Sequence, residues 1–263
     1  MNDLKNNTVL EVNDLSIGYK SQKRQNIVAE NINFKLQKGE LVGLIGANGI
    51  GKSTLLKTLT KSQNSFAGTI FVNNDELNTI SSLNLAKQMS VVLTEKLSHL
   101  NLTVQELIAL GRQPYTNWIG SLRDEDKLQT QHAIEIVNIM SLAQKKCYEL
   151  SDGQLQKVML ARALAQDTDI IILDEPTTHL DLYHKVSILK LLQELAKTTG
   201  KTILFSTHEI NVTLSLCDKV IVMKENKTHF GSPKELIRNN AFDDLFPEDL
   251  IFFDKESKIF KIK

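Results

Sequence analysis

Apolar and polar residues alternate near the start of the chain. Residues 9–12 and 32–36 have period-two patterns, which are typical of strands with one buried face. Apolar runs without this alternation occur at residues 41–45 and 170–173, and they predict strands that are buried on both faces. Further strands are predicted at residues 69–72, 202–206 and 219–223.

Helical spacing of apolar residues takes over in the middle of the chain and returns between the later strands. It predicts helices over residues 51–59, 104–111, 124–140, 151–164 and 183–197. Strands that alternate with helices predict an α/β fold with a parallel sheet. We therefore predict a core of residues 1–84 and 166–240, a helical subdomain inserted at 85–165, and a C-terminal extension at 241–263.

The C-terminal extension has a pattern of its own. Residues 250–253 and 259–262 are rich in apolar side chains, and the segment between them is polar. Two such segments joined by a short polar connection predict a β-hairpin. We interpret this hairpin as a structural cap, because terminal segments of a domain are often tied down in this way.

The composition is that of a globular protein without excess charge. The 263 residues are 41% hydrophobic and 24% charged, with 31 Lys and Arg against 31 Asp and Glu. These values argue against disorder and against bulk attraction to nucleic acid or anionic lipid. No apolar run approaches the roughly 20 residues that span a bilayer, and the N-terminus lacks the apolar core of a secretory signal. Cys147 and Cys217 have no metal-binding or redox spacing, so we expect a soluble intracellular protein.

Residues 46–53 carry the first candidate chemistry. Their sequence, GANGIGKS, matches the phosphate-loop pattern G-x-x-x-x-G-K-[ST], between a predicted strand and a predicted helix. Glycines allow a tight turn that points backbone N–H groups at a polyphosphate, while the lysine reaches the outer phosphates and the serine binds Mg²⁺. The predicted nucleotide-binding residues are Gly46, Asn48, Gly49, Gly51, Lys52, Ser53 and Thr54. The motif alone does not distinguish a kinase, a GTPase and an ATPase.

A pair of carboxylates follows the strand predicted at residues 170–173. Asp174, at the strand end, is placed to hold Mg²⁺, and the next residue, Glu175, is placed to polarise an attacking water. Pro176 then ends the strand. Asp174 and Ser53 are therefore the predicted metal ligands.

Residues 150–154, with the sequence LSDGQ, lie at the start of a predicted helix. Ser151 is a typical N-cap, and a helix N-terminus is favourable for anions. The order and spacing of the phosphate loop, this segment and the Asp174–Glu175 pair resemble an ATP-binding cassette (ABC) ATPase. The resemblance covers residues 8–240, nearly the whole chain. It implies a RecA-like core with an N-terminal antiparallel β-subdomain and an inserted helical subdomain.

Three further positions resemble functional elements of the ABC family. Tyr19 corresponds to an aromatic residue that stacks on adenine, Asp181 to the D-loop, and His208 to the switch histidine. Taken singly, a tyrosine or a histidine at such a place is as often structural. Within the full set of motifs, the functional interpretation is favoured.

The resemblance also implies a mechanism. Two cassettes pack head to tail, and Ser151, Gly153 and Gln154 of one close on the ATP that Lys52 of the other holds. The cofactors are ATP and Mg²⁺. The implied catalytic residues are Glu175, His208 and Lys52.

A closer resemblance is carried by residues 102–107, 110–115 and 118–120, together with DEPTTHLDL at 174–182. These segments look like the subfamily that powers import of ferric siderophores, cobalamin and haem. The implied partners are integral-membrane permease subunits, a second copy of the chain and, indirectly, a substrate-binding protein, with no nucleic acid. The implied location is cytoplasmic, peripheral on the cytoplasmic face of the inner or plasma membrane.

The sequence departs from the family at two positions. The family has a glutamine at the end of the strand that enters the helical subdomain, where this chain has Thr94 followed by Glu95. A hydroxyl reaches less far than an amide, so Thr94 is a further candidate for the magnesium site and the coupling groups stay open. Asp152 replaces a glycine of the signature, and we expect it to point away from phosphate because like charges repel.

Two other classes of protein remain open. A non-transport ABC ATPase that acts on DNA or ribosomes usually has a long coiled-coil insertion or two fused cassettes, and this chain has neither. A P-loop kinase of a small metabolite would not need residues 150–154 or His208. We therefore expect the ATP-hydrolysing subunit of an importer for iron-siderophore, cobalamin or haem.

Overall fold

The computed structural model describes residues 7–21, 24–93, 101–117, 120–225, 227–246 and 250–263. The strands are β1 (Thr8–Ser21), β2 (Arg24–Gln37), β3 (Leu41–Gly46), β4 (Ala67–Val72), β5 (Asp75–Glu76), β6 (Met89–Val92), β7 (Ile170–Leu173), β8 (Thr202–Ser206), β9 (Lys219–Lys224), β10 (Lys227–Gly231), β11 (Ile251–Asp254) and β12 (Ile259–Ile262). The α-helices are α1 (Lys52–Leu59), α2 (Ser82–Ala86), α3 (Val104–Ala109), α4 (Asp124–Ile136), α5 (Asp152–Ala165), α6 (Leu182–Thr199), α7 (Ile210–Leu216) and α8 (Pro233–Arg238).

A six-stranded sheet of order β10-β9-β3-β8-β7-β6 forms the centre of the fold. All its strands run parallel except β10, which is antiparallel to β9. Every residue of β3, β7 and β8 is buried, as expected for a parallel sheet with both faces covered. Because the carboxyl ends of parallel strands meet at one edge, the residues that follow β3, β7 and β8 approach one another there.

A second sheet, of order β2-β1-β4-β5, is antiparallel throughout. Its strands β1 and β2 have 14 residues each, so they are much longer than the strands predicted at 9–12 and 32–36. The pairing register shifts between Val12 and Leu15, and Asp14 there has a φ of 46°. A bulge of this kind breaks the period of two, which is why the sequence pattern underestimates both strands.

Helices α3, α4 and α5 pack together in the segment predicted to be helical. The first two are shorter than predicted. Helix α3 gives way to a 3₁₀ helix, Leu110–Tyr115, which contains Pro114, and α4 ends before Asn138, whose φ of 54° is left-handed. Strand β6 pairs with β7 in the central sheet although it falls within residues 85–165, and the domain boundaries stay a prediction. Among the described residues, no helix is both long enough and apolar enough to cross a membrane.

A buried ion pair ties this helical region together. Arg112 Nε donates to Asp126 Oδ1 at 2.9 Å, and the two side chains are 5% and 3% exposed. Arg112 also donates to the carbonyl oxygen of Ala165 at 2.9 Å and lies over the ring of Tyr115. The second carboxylate oxygen of Asp126 accepts a hydrogen bond from the backbone of Arg123. The pair therefore joins the 3₁₀ segment to α4 and to the end of α5.

The predicted C-terminal hairpin is confirmed by the pairing of β11 with β12. Phe253 and Phe260 are opposite each other across the hairpin, and both rings contact the buried ring of Phe242. The backbone N–H of Phe260 donates to Asn211 Oδ1 at 3.2 Å. Since Asn211 lies in α7, the hairpin is fixed to the helix that follows β8.

Candidate active site

The loop between β3 and α1 has the geometry of a phosphate-binding loop. Gly49 and Gly51 have φ values of 77° and 109°, which glycine adopts without strain. A Cβ on Gly51 would lie 2.3 Å from Val28 Cγ1, so the available space requires glycine as well. Helix α1 begins directly after Gly51, and the first N–H groups of a helix point towards an anion. Gly46, Asn48 and Thr54 complete this loop and the first turn of α1.

Lys52 is folded back onto the loop that precedes it. Its Nζ donates to the carbonyl oxygens of Gly46 and Ala47 at 2.9 and 3.2 Å, and the residue is only 5% exposed. Burial lowers the pKa of Lys52, while the negative charges of Glu175 and Asp174 act in the opposite direction. A polyphosphate in this loop would add negative charge where the buried ammonium group needs it.

Asp174 and Ser53 meet at the end of β7. Ser53 Oγ donates to Asp174 Oδ1 at 3.3 Å, and Ser206 Oγ donates to the same oxygen at 2.6 Å. The hydroxyl of Ser206 in turn accepts a hydrogen bond from the backbone of Glu175 at 2.8 Å. This hydroxyl therefore fixes both residues of the acidic pair at the edge of the sheet.

Glu175 and His208 form a direct pair. His208 Nε2 lies 2.6 Å from Glu175 Oε1, and the hydroxyl of Thr178 donates to Oε2 at 3.0 Å. Burial raises the pKa of Glu175, but the hydrogen bonds from His208 and Thr178 and the nearby charge of Lys52 outweigh it, so the pKa lies below its ordinary value. The carboxylate is thus ionised near neutral pH and can accept a proton from water.

The segment 150–154 begins α5 as predicted. Ser151 is the N-cap, its Oγ accepts from the backbone of Gln154, and Gln154 Oε1 accepts from the backbone of Ser151. Gly153 is buried, and a Cβ there would lie 2.9 Å from His184 Cδ2. The ring of His184 is held by Asp181, which is the N-cap of α6. One imidazole therefore lies between the predicted signature and the predicted D-loop of the same chain.

Tyr19 lies on β1 opposite Asn26 of β2, and it is 52% exposed. Strand β2 also carries Val28, which lies against Gly51. The ring of Tyr19 is therefore on the strand pair that borders the phosphate loop, with a face open to a ligand. Thr94, the further candidate for the magnesium site, lies outside the described residues.

The structure brings the three predicted catalytic residues and two predicted metal ligands to one edge of the central sheet. These residues are Lys52, Ser53, Asp174, Glu175 and His208. Within the described part of the chain, no hydrogen bond joins Ser151, Gly153 or Gln154 to that cluster. Sequence reasoning missed Ser206 and Thr178, although Ser206 ends the strand two residues before His208 and Thr178 follows the acidic pair.

Comparison with known proteins decides the family. A family model described as ABC transporter matches residues 29–178, more than half of the chain. The chain belongs to the ABC transporter family. A second model, described as an AAA domain, matches residues 146–215.

Two relatives of this ABC protein are named as import ATP-binding proteins. The iron(3+)-hydroxamate import ATP-binding protein of Bacillus subtilis (strain 168) is 38% identical over 82% of this chain and 79% of its own length. The petrobactin import ATP-binding protein of the same strain is 33% identical over 90% of this chain and 92% of its own length.

Two solved ABC structures resemble the whole cassette. One is an inward-facing transporter described as being of the metal-chelate type, with a TM-score of 0.76 and 29% identity over 88% of this chain and 85% of its own. The other is a dimeric ATP-binding cassette with ADP and phosphate in a post-hydrolysis state, with a TM-score of 0.70 and 26% identity over 85% of this chain and 98% of its own. The chain is therefore an ABC ATPase with the predicted α/β cassette fold.

Proposed function

We propose that this chain hydrolyses ATP to energise import of a ferric siderophore, as a head-to-tail homodimer docked on a membrane permease. The convergence of Lys52, Ser53, Asp174, Glu175 and His208 at one sheet edge carries the proposal of ATP hydrolysis. The names of the two Bacillus subtilis relatives support the siderophore cargo over cobalamin and haem.

Lys52 binds the outer phosphates, and Ser53 with Asp174 holds Mg²⁺. The two oxygens, 3.3 Å apart, are the hard ligands that Mg²⁺ prefers. One hydroxyl and one carboxylate on the protein suit Mg²⁺, because it binds few carboxylates and completes its shell with water and phosphate. When bound, Mg²⁺ neutralises charge on the transferred phosphoryl group.

Glu175 orients and deprotonates the attacking water, and His208 contacts the γ-phosphate. The pKa of Glu175 lies below its ordinary value, so its carboxylate is in the ionised form that a general base needs. His208 lies 2.6 Å from this carboxylate, so the group proposed to contact the γ-phosphate is in direct contact with the proposed general base. Both residues lie just after the carboxyl ends of buried strands of the central sheet. This position fixes them before substrate binds.

The signature residues act on the ATP of the second copy. Ser151 and Gln154 fix the start of α5 through a capping box, so the N-terminus of this helix is presented to the partner's phosphate. Tyr19 stacks on adenine and Asp181 lies at the dimer interface. The dimeric cassette among the similar structures supports this arrangement.

The helical subdomain docks on integral-membrane permease subunits, which in turn receive cargo from a substrate-binding protein. This places the ATPase on the cytoplasmic face of the membrane. Thr94 and Glu95 are the candidates for coupling nucleotide to the permease. The resemblance to one chain of a metal-chelate type ABC transporter supports this assembly.

Glu175→Gln tests the catalytic assignment. We expect hydrolysis to fall at least about 100-fold, since general base catalysis contributes that much or more. ATP binding should persist and a nucleotide-bound dimer should accumulate. Turnover is measured by phosphate release and dimer formation by size exclusion with ATP. Glu194→Gln, at an exposed carboxylate on α6, is the matched control, and equal turnover in both variants contradicts the proposal.

Transport by the reconstituted complex tests the cargo. The chain is combined with its permease and binding protein in vesicles, and uptake of a ferric hydroxamate, cobalamin and haem is compared. We expect ATP-dependent uptake of the ferric siderophore alone. Uptake of cobalamin or haem instead would overturn the cargo assignment and leave the ATPase assignment intact.

A further inference from the structure

The first turn of α6 touches the segment that carries His208. Lys185 Nζ lies 2.5 Å from Glu209 Oε1, and Glu209 is the residue directly after His208. The two side chains are 27% and 28% exposed, so this ion pair is partly shielded from water. Such a pair is stronger than one on an open surface, because water screens it less.

The backbone on both sides of His208 is held by hydrogen bonds, and the N–H of Glu209 donates to Thr207 Oγ1 at 3.0 Å. Thr207, the residue before it, is 1% exposed, and its N–H donates to the carbonyl oxygen of Leu44 in β3. On the other side, Glu209 begins α7, but its carboxylate does not cap that helix. It reaches Lys185 instead. The ion pair therefore links the residue directly after His208 to the first turn of α6, while Gln193 of α6 binds the far end of α7.

The turn that carries Lys185 is itself well fixed. The N–H of Lys185 donates to the carbonyl oxygen of Asp181. The Asp181 carboxylate accepts hydrogen bonds from both the backbone and the ring of His184. On the same turn, the ring of His184 lies against Gly153 of α5. Lys185 therefore lies on a well-fixed helical turn and not on a frayed helix end.

We propose that Lys185 is a positioning residue for ATP hydrolysis, because its ion pair with Glu209 keeps His208 against Glu175. This rests on the roles proposed above for Glu175 and His208. Lys185 touches neither of them, so it acts only through Glu209. Without the pair, the residue next to His208 loses its side-chain partner on α6, and we expect the imidazole to move from the 2.6 Å contact with Glu175.

The test compares Lys185→Met, Glu209→Gln and the double variant with Lys190→Met. Lys190 is an exposed lysine on the same helix and serves as the matched control. We expect each single variant to lower kcat about tenfold, since misplacing a catalytic group by about 1 Å can cost up to about 100-fold. KM for ATP and the midpoint of thermal unfolding should match those of Lys190→Met, because the phosphate loop is untouched.

The double variant and a conservative variant separate a specific tie from general damage. If the residues act through one ion pair, Lys185→Met combined with Glu209→Gln should be no slower than either single variant. Lys185→Arg, which keeps the positive charge, should recover most of the lost kcat. Single variants as fast as Lys190→Met, multiplicative losses in the double variant, or no recovery with arginine would each overturn the proposal.

Parallel measurement of Glu175→Gln keeps this proposal apart from the proposed function. If Glu175→Gln turns over like the wild type, the catalytic assignment fails first. If Glu175→Gln is inactive while Lys185→Met has the kcat of Lys190→Met, only the positioning role fails.

Discussion

Two pairs of ionisable side chains in this chain have opposite surroundings. Arg112 and Asp126 are 5% and 3% exposed, and each makes further hydrogen bonds within the helical region. Glu175 and His208 are 27% and 42% exposed and meet at the open edge of the central sheet. The first pair is closed off by protein, whereas the second faces the place where nucleotide is expected.

Exposure to solvent and the number of protein partners distinguish a structural ion pair from a functional one. Removing two charges from water is costly, so a buried pair persists only where protein groups satisfy its remaining donors and acceptors. Arg112 and Asp126 meet that condition. The pair of Glu175 and His208 leaves part of its surface to solvent, and a ligand can enter without unfolding the region around it.

Loss of His208 gives the largest expected effect. His208→Ala should lower the rate of ATP hydrolysis by about 100-fold or more. Its folding stability should change by at most about 1 kcal/mol, since partly exposed ion pairs contribute little. The checks are phosphate release and urea unfolding, with the exposed His132→Ala as control. A large loss of stability would show that the two pairs are alike.

Loss of Arg112 should show the reverse behaviour. Arg112→Met leaves Asp126 buried without its partner, and we expect a loss of roughly 3–5 kcal/mol in the free energy of unfolding. The rate of hydrolysis per folded molecule should stay at the wild-type value. Urea unfolding measures the first quantity, and Arg238→Met, at an exposed arginine of α8, should be nearly neutral. A lower kcat in folded Arg112→Met would contradict the purely structural role of this pair.

The pH dependence of the free energy of unfolding gives a further test of the buried pair of Arg112 and Asp126. Burial raises the pKa of Asp126, but the hydrogen bonds from Arg123 and Arg112 and their charges outweigh it, so the folded pKa lies below its ordinary value. In the unfolded chain the aspartate has a pKa of about 3.9. As pH falls, it is therefore protonated in the unfolded state before it is protonated in the folded state. The stabilisation is complete above that value and is lost as pH falls through the folded pKa.

Asp126→Asn should flatten this dependence. Its free energy of unfolding should change less than that of the wild type between about pH 4 and pH 2, where the aspartate of the unfolded chain is protonated. Glu125→Gln, an exposed neighbour on α4, should keep the wild-type slope. A wild-type slope in Asp126→Asn would show that other carboxylates account for the acid sensitivity.

The phosphate loop and the acidic pair could be predicted from the sequence because their chemistry is local. Gly51 needs a left-handed φ, and the pair Asp174–Glu175 follows directly on a buried strand. Residue spacing does not reveal partners that are far apart in the chain. Ser206 reaches Asp174 across 32 positions, and only the pairing of β7 with β8 makes them neighbours.

The segment 110–115 shows the same limit in another way. It supported the resemblance to an importer subfamily, yet within it Arg112 is a buried structural residue whose partner lies 14 positions further on. Likewise, the bulge near Asp14 hid the length of β1. Sequence patterns thus found the elements and the catalytic motifs, while bulges and long-range polar contacts required the folded chain.

The close approach of His184 to Gly153 affects how variants of the signature are interpreted. A side chain added at position 153 collides with an imidazole of its own chain, regardless of any phosphate that the glycine serves. Lower activity after substitution of Gly153 could therefore come from a clash with His184 in the same subunit or from weaker binding of the partner subunit's ATP. Activity alone does not separate these two causes. We therefore expect positions 153 and 184 to be epistatic, and varying them together separates the two causes.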